Sequence, residues 1–284
     1  MPFVTAAGHA LEYQRIEADA SRPVLVFLHE GLGSIGQWRD FPQQVVAATG
    51  CPALVYARYG HGQSDVLEAP RAVDFMHHEA RVALPQLLEA LGIARPILIG
   101  HSDGASIALI HAGSPEGAGR VRGVAVMAPH VFLEERSVEG ILAAKQAFET
   151  SDLRARLAKY HRDPGKTFHG WNDVWLKPEF RDWNIESFLP AIHCPVLAIQ
   201  GHGDAYGTMA QLDAIAAQAG GPCELLKLED CGHAPFREQP QRTLEAIARF
   251  VNGLAAGGLA ADAQAAAHAP HHPHDPHATQ GAAA

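Results

Sequence analysis

Five short, almost wholly apolar runs constrain this chain more than any other feature: VLVFL at 24–28, ALVYA at 53–57, PILIG at 96–100, VRGVAVM at 121–127 and PVLAIQ at 195–200. Runs of this length with little polar alternation read as strands buried on both faces, the habit of parallel sheets. A sixth run, ELLKL at 224–228, is more polar and is placed near a sheet edge. Between the runs lie helical patterns at about 37–48, 75–91, 104–112, 208–219 and 240–252. The first residues, with LEYQR at 11–15, fit an antiparallel hairpin at one edge. Strand–helix alternation of this kind predicts an α/β fold, a mostly parallel central sheet with helices on both faces.

Residues 134–190 break the alternation. They hold helical patterns and no strand, and they are rich in aromatics: Phe148, Tyr160, Phe168, Trp171, Trp175, Phe180, Trp183 and Phe188. Inserted between two core strands, the segment reads as a helical cap over one end of the sheet, with the core formed by 1–133 and 191–252. From 253 to 284 the composition turns to Ala, Gly, His and Pro. A stretch with so little large apolar surface cannot offset the entropy of ordering it, and it reads as a disordered tail.

The formal charge of −9 is spread along the chain and gives no electrostatic case for nucleic acid. No apolar run reaches the roughly 18 residues of a membrane span, and the N-terminus lacks the basic segment and apolar core of a signal peptide. Cys51, Cys194, Cys223 and Cys231 match no zinc spacing and no disulfide framework, so a reducing cytoplasm is the expected compartment. The tail carries His268, His271, His272, His274 and His277, but a flexible tract fixes no coordination geometry, so no metal site is assigned.

Chemistry concentrates at Gly100-His101-Ser102-Asp103-Gly104, which follows the 96–100 run and precedes a helical pattern. In a strand–turn–helix this G-x-S-x-G turn lifts a serine hydroxyl out at the carboxyl end of the sheet, and the helix N-terminus there favours negative charge. A serine needs a base to take its proton. Asp204 follows the 195–200 run and His233 follows the 224–228 run, giving the order Ser102, Asp204, His233 that the motif requires. His233 is the expected general base, and Asp204 the group that fixes its tautomer. His202 lies too near Asp204 in sequence to be oriented by it, and His101 is expected to point away from the serine hydroxyl. Two backbone N–H groups should bind the developing oxyanion: that of Asp103, and one from the loop His29-Glu30-Gly31-Leu32-Gly33-Ser34, with Gly31 first and Leu32 as fallback.

These residues together resemble the α/β-hydrolase superfamily across nearly the whole of 1–252. His29-Glu30-Gly31 is similar to its His-Gly-x oxyanion loop, and the run from Arg58 to Ser64 (RYGHGQS) to its R-x-G-x-G-x-S turn. Gly201 to Asp204 and Gly232-His233 match its acid and base loops, and Ser102-Asp103-Gly104 resembles the elbow of valacyclovir-hydrolase-like esterases. Glu30 departs from the pattern, where glycine is usual; a carboxylate there would oppose an oxyanion, so it is expected to point away. Superfamily members that open epoxides or remove halide use an aspartate nucleophile, and Ser102 argues against both.

The resemblance implies a serine hydrolase without a cofactor, acting on a small-molecule ester of apolar or aromatic character through an acyl-enzyme on Ser102. Carbon–carbon bond hydrolysis of a ring-cleavage product is the first alternative, with acyl transfer or perhydrolysis also possible on this scaffold. A non-catalytic ligand receptor is the alternative from another class. Leu32, His130, Trp171 and Trp175 are the expected pocket residues, with Arg136 close by, and the oligomeric state is left open.

Overall fold

A computed structural model describes residues 1–267 of the 284. Eight strands form one sheet: β1 (Phe3–Ala6), β2 (His9–Ile16), β3 (Leu25–Leu28), β4 (Ala53–Tyr56), β5 (Ile97–His101), β6 (Gly123–Met127), β7 (Val196–Gly201) and β8 (Cys223–Leu228). Their spatial order is β1-β2-β4-β3-β5-β6-β7-β8. β1 and β2 pair as an antiparallel hairpin at one edge, and β2 pairs antiparallel with β4. Every pairing from β4 to β8 is parallel. The polar run at 224–228 is the other edge, where one side of the strand meets solvent.

The period of two along each strand divides the core. Val26, Leu28, Leu54, Tyr56, Leu98, Val124, Val126 and Ala198 face one way, and Leu25, Phe27, Val55, Ile97, Ile99, Ala125, Leu197 and Ile199 the other. All are essentially inaccessible to solvent. Helices α1 (Phe41–Thr49), α2 (Phe75–His78), α3 (Leu84–Ala90) and α4 (Asp103–Gly113) belong to the first half of the chain. Between β6 and β7 follow α5 (Glu135–Thr150), α6 (Leu153–Leu157) and α7 (Pro164–Trp175), the segment expected to form a cap, then α8 (Ala210–Gln218), α9 (Pro235–Glu238) and α10 (Pro240–Ala267). The first face packs on Leu84 and Leu87 of α3, Ile107 and Leu109 of α4, and Leu212 and Ile215 of α8. The second packs on Phe41 and Val45 of α1 and Ile247 and Val251 of α10.

The segment between β6 and β7 is helical, with one isolated bridge between Phe132 and Asn184. Most of its aromatics pack on one another: Phe148 stacks on Phe168 at 3.9 Å, and Phe180 on Trp183 at 5.4 Å. Its root is tied to the loop after β7 by the Glu134 carboxylate, which accepts from the Thr208 amide and hydroxyl and from Gln211 Nε2. The last helix continues through Ala267, past the boundary that composition placed at Asn252. Alanine is the strongest helix former, so such a sequence can carry the helix on. Residues 268–284, including the tail histidines, lie outside the described residues. Among the described residues no helix is long and apolar enough to cross a membrane.

Glycine fixes how closely α4 meets the sheet. A Cβ on Gly104 would lie 2.1 Å from the Leu28 carbonyl oxygen, and one on Gly100 would lie 2.6 Å from Ala105 Cα. The obstacle is backbone and cannot rotate away. Gly104→Ala is expected to destabilise the protein by about 3 kcal/mol, lowering Tm by roughly 6–12 °C. Thermal unfolding followed by circular dichroism checks this.

Candidate active site

Ser102 sits between β5 and α4 with φ 53° and ψ −120°, a conformation L-residues rarely adopt and one that costs about 1–3 kcal/mol. Its amide donates to the Met127 carbonyl at 2.9 Å, and its carbonyl accepts from the Ser106 amide at 3.1 Å. The surrounding turn therefore holds the strained residue, and the hydroxyl is left facing the carboxyl ends of the strands.

Asp204 and His233 come to that hydroxyl from separate loops. Asp204 follows β7 and is fully buried; its Oδ1 accepts from the Tyr206 amide at 2.8 Å. His233 follows β8 and directs Nδ1 to Asp204 Oδ1 and Oδ2 at 2.8 and 2.9 Å. Its Nε2 lies 3.0 Å from Ser102 Oγ. The histidine loop is itself tethered. His101 Nε2–H donates to the His233 carbonyl at 2.7 Å, and the Glu238 carboxylate accepts from the Gly232 and Ala234 amides. His101 thus turns away from the serine hydroxyl, under the histidine loop. His202 pairs with Glu229 on the surface.

Electrostatics separates the imidazoles. Burial depresses His101 to about 3 and His130 to about 4, with the charge of His233 adding to both. Burial acts on His233 in the same direction, but its hydrogen bond to Asp204 and the charges of Asp204, Glu30 and Asp103 more than reverse it. His233 therefore stands above the usual imidazole value of 6.5, the property of a base that must hold a proton during reaction. Asp204 is held below the usual carboxylate value: burial alone would raise it, and the contacts with His233 and Tyr206 outweigh that.

The oxyanion loop differs from expectation at Glu30. Its carboxylate lines the cavity beside Ser102 and folds back so that Oε2 accepts from the Leu32 amide at 2.7 Å. A tight turn leaves that N–H unmet, and the side chain satisfies it. Leu32 N–H, the expected fallback donor, is consequently engaged; Asp103 lines the cavity beside Ser102, and Gly31 is not among its lining residues. Gly31 is a glycine for steric reasons, since a Cβ there would lie 2.1 Å from Trp171 Nε1. Beneath the loop, His29 Nδ1–H and Arg58 Nη2 both donate to the Glu30 carbonyl, and His29 Nε2 accepts from the Arg58 amide. Asp103 is almost wholly buried, and burial raises its carboxyl to about 6 against the pull of Arg58.

A cavity of about 190 Å³ opens beside Ser102. Leu32, His130, Trp171 and Trp175 all line it, joined by Glu30, Ser137, Ile141, Tyr206 and Arg237, which sequence reasoning missed. Arg136 is exposed, and its neighbour Ser137 faces inward instead. Along a helix adjacent residues face about 100° apart, so one position of register decides which of the two turns in. A larger cavity of about 370 Å³, lined by His9, Tyr59, Arg71 and Glu79 among others, holds no serine or cysteine.

A sequence profile of the alpha/beta hydrolase family matches residues 25–246, spanning both halves of the sheet and the cap. The chain belongs to the alpha/beta hydrolase family. Over 100 residues it is 31% identical to the sn-1-specific diacylglycerol lipase ABHD11 of Mus musculus, a match covering 35% of this chain and 31% of the lipase. A carboxylesterase structure from Nitrososphaera gargenis superposes with a TM-score of 0.70 at 20% identity, over 89% of this chain and 98% of that one. The enol-lactonase of Burkholderia xenovorans LB400 gives 0.69 at 20% identity, over 88% and 99%. At these identities the structural likeness concerns the fold.

A base that must be neutral to act loses activity as pH falls through its pKa. With His233 raised, the acidic limb of the rate profile is expected above pH 6.5, and Glu30→Gln, which removes one charge holding it up, should move that limb to lower pH. A pH profile of kcat/KM for both proteins measures it.

Proposed function

We propose that this protein is a serine hydrolase cleaving carboxylic esters of small apolar or aromatic character. The observation that carries the reading is the unbroken chain from Ser102 Oγ to His233 Nε2 at 3.0 Å and from His233 Nδ1 to Asp204 at 2.8 Å. The family membership and the lipase name of the mouse relative are consistent with ester hydrolysis.

In this reading His233 takes the proton of Ser102 as its oxygen attacks the ester carbonyl. The carbonyl oxygen becomes negative and is bound by the amides of Gly31 and Asp103, the latter at the positive end of α4. The imidazolium, stabilised by Asp204, then protonates the leaving alkoxide. Water activated by the same imidazole attacks the acyl-enzyme, and the acid departs from Ser102. Glu30 and Asp103 place negative charge near the oxyanion, and the hydrogen bond from Leu32 N–H draws the Glu30 charge back onto the loop.

Size and lining bound the substrate. The cavity is smaller than the roughly 300–1,000 Å³ of sites for drug-sized ligands, and Leu32, Ile141, Trp171 and Trp175 supply its apolar wall. Short acyl chains or a single ring fit this space better than long chains or polymers.

Aryl esters from acetate to decanoate, tested beside a vinylogous 1,5-diketone, check the assignment. Short-chain esters should turn over fastest, with Ser102→Ala reducing kcat by roughly 10⁴-fold or more. Diketone cleavage without esterase activity would assign the carbon–carbon reaction instead. Gly31→Ala should cost about 10²–10³ in kcat as its Cβ is driven against Trp171.

A further inference from the structure

The loop that carries Gly31 is held from two sides. Its inner side hangs on His29 and Arg58 of the core, through the Glu30 carbonyl. Its outer side is held by the segment between β6 and β7. His161, in the turn between α6 and α7, directs Nε2 to the Leu32 carbonyl at 2.9 Å, and its Nδ1 accepts from the Gly62 amide at 2.9 Å. Accepting at Nδ1 leaves the proton on Nε2, so the Leu32 bond is a donation with a fixed tautomer. Burial keeps the ring neutral, with its pKa lowered to about 4. Trp171 of α7 covers Gly31 directly, and the Tyr160 ring lies against Gly36. Two further bonds dock this turn and the first turn of α7 on the core near Gly62: Arg162 N–H to the Gly62 carbonyl, and Thr167 Oγ1 to the Gly60 carbonyl.

We propose that His161 is a positioning residue for the oxyanion hole, setting the direction of the Gly31 amide by pulling the Leu32 carbonyl outward toward the cap. The inference rests on the ester-hydrolase reading above. The Gly31 N–H shares its peptide plane with the Glu30 carbonyl, and that carbonyl accepts from the Gly33 amide at 2.9 Å, whose own plane carries the Leu32 carbonyl. The Leu32 carbonyl is bound by His161. Without His161 the Leu32–Gly33 peptide can turn, the Gly33 bond to the Glu30 carbonyl is lost, and the plane that carries the Gly31 donor is held by His29 and Arg58 alone, so the donor tilts off the oxyanion. A displacement near 1 Å is enough to cost about 10²-fold in rate.

The two ring nitrogens can be separated by substitution. The Asn amide reproduces the reach of Nδ1, and the Gln amide that of Nε2. His161→Asn keeps an acceptor for Gly62 and loses the donor to Leu32; His161→Gln does the reverse. The diagnostic is the ratio of kcat/KM for an aryl ester to that for its thionoester, because sulfur accepts poorly from amide donors and gains little from an intact hole. His161→Asn is expected to lower ester kcat by about 10- to 100-fold with KM nearly unchanged, and to shrink the oxygen preference by about tenfold. His161→Gln should keep both near wild type. His161→Leu, which has neither bond, replaces His161→Asn if that variant does not fold, and it must lose the oxygen preference likewise. An undiminished oxygen preference in folded His161→Asn or His161→Leu overturns the inference while leaving the triad reading intact. Equal losses in Asn and Gln variants, tracking Tm, also overturn it by making His161 a general brace. A wild-type protein with no Ser102-dependent hydrolysis of either substrate overturns the parent reading and this one with it.

Discussion

At Gly104 the start of α4 comes so close to β3 that a Cβ would lie 2.1 Å from the Leu28 carbonyl oxygen. That approach sets the rest. It brings the end of β3, and the oxyanion loop that follows it, beside the turn carrying Ser102. It also forces Ser102 into its φ of 53°, since strand and helix leave no room for a relaxed turn. Parallel order then delivers the remaining groups: β7 and β8 run in the same direction as β5, so the loops bearing Asp204 and His233 emerge at the same end. Ligand sites at the carboxyl ends of open parallel sheets follow from this geometry.

The electrostatic design follows from burial. Three imidazoles, of His101, His130 and His233, gather near the hydroxyl, and desolvation pushes all three toward the neutral form. Only His233 has a carboxylate bonded to its ring, and that contact with Asp204, joined by the charges of Glu30 and Asp103, reverses the shift. His101 is spent on the His233 carbonyl, so one histidine steadies the loop of another. Glu30 is the unusual element. Its charge raises His233, while its bond to Leu32 N–H fixes the loop from within.

How much of this was legible in the sequence depended on range. The central strands were readable because β3, β5, β6 and β7 are buried along their whole length and so are apolar except for His101 and Gln200 near two strand ends. Ser102, Asp204 and His233 were readable because each follows a strand, and the structure brings them within hydrogen-bonding distance. The conformation of Glu30 was not legible: its carboxylate folds onto a local unmet amide, that of Leu32, and a superfamily pattern with glycine there carries no such information. His101 and His161 act on backbone carbonyls far away in sequence, at His233 and Leu32. Any residue type can offer a carbonyl, so these contacts leave no pattern to read. The cap's aromatics were seen, but only the packing shows that Phe148, Phe168, Phe180 and Trp183 fill its own core while Trp171 and Trp175 reach the cavity.

The central claim is that Ser102 is a nucleophile activated by His233. It is tested most directly by treating the full-length protein with a fluorophosphonate at neutral pH and mapping the adduct by peptide mass spectrometry. The account predicts a single adduct on Ser102, formed in wild type and slowed by orders of magnitude in His233→Ala. No adduct, an adduct on another residue, or equal labelling of both proteins would contradict it.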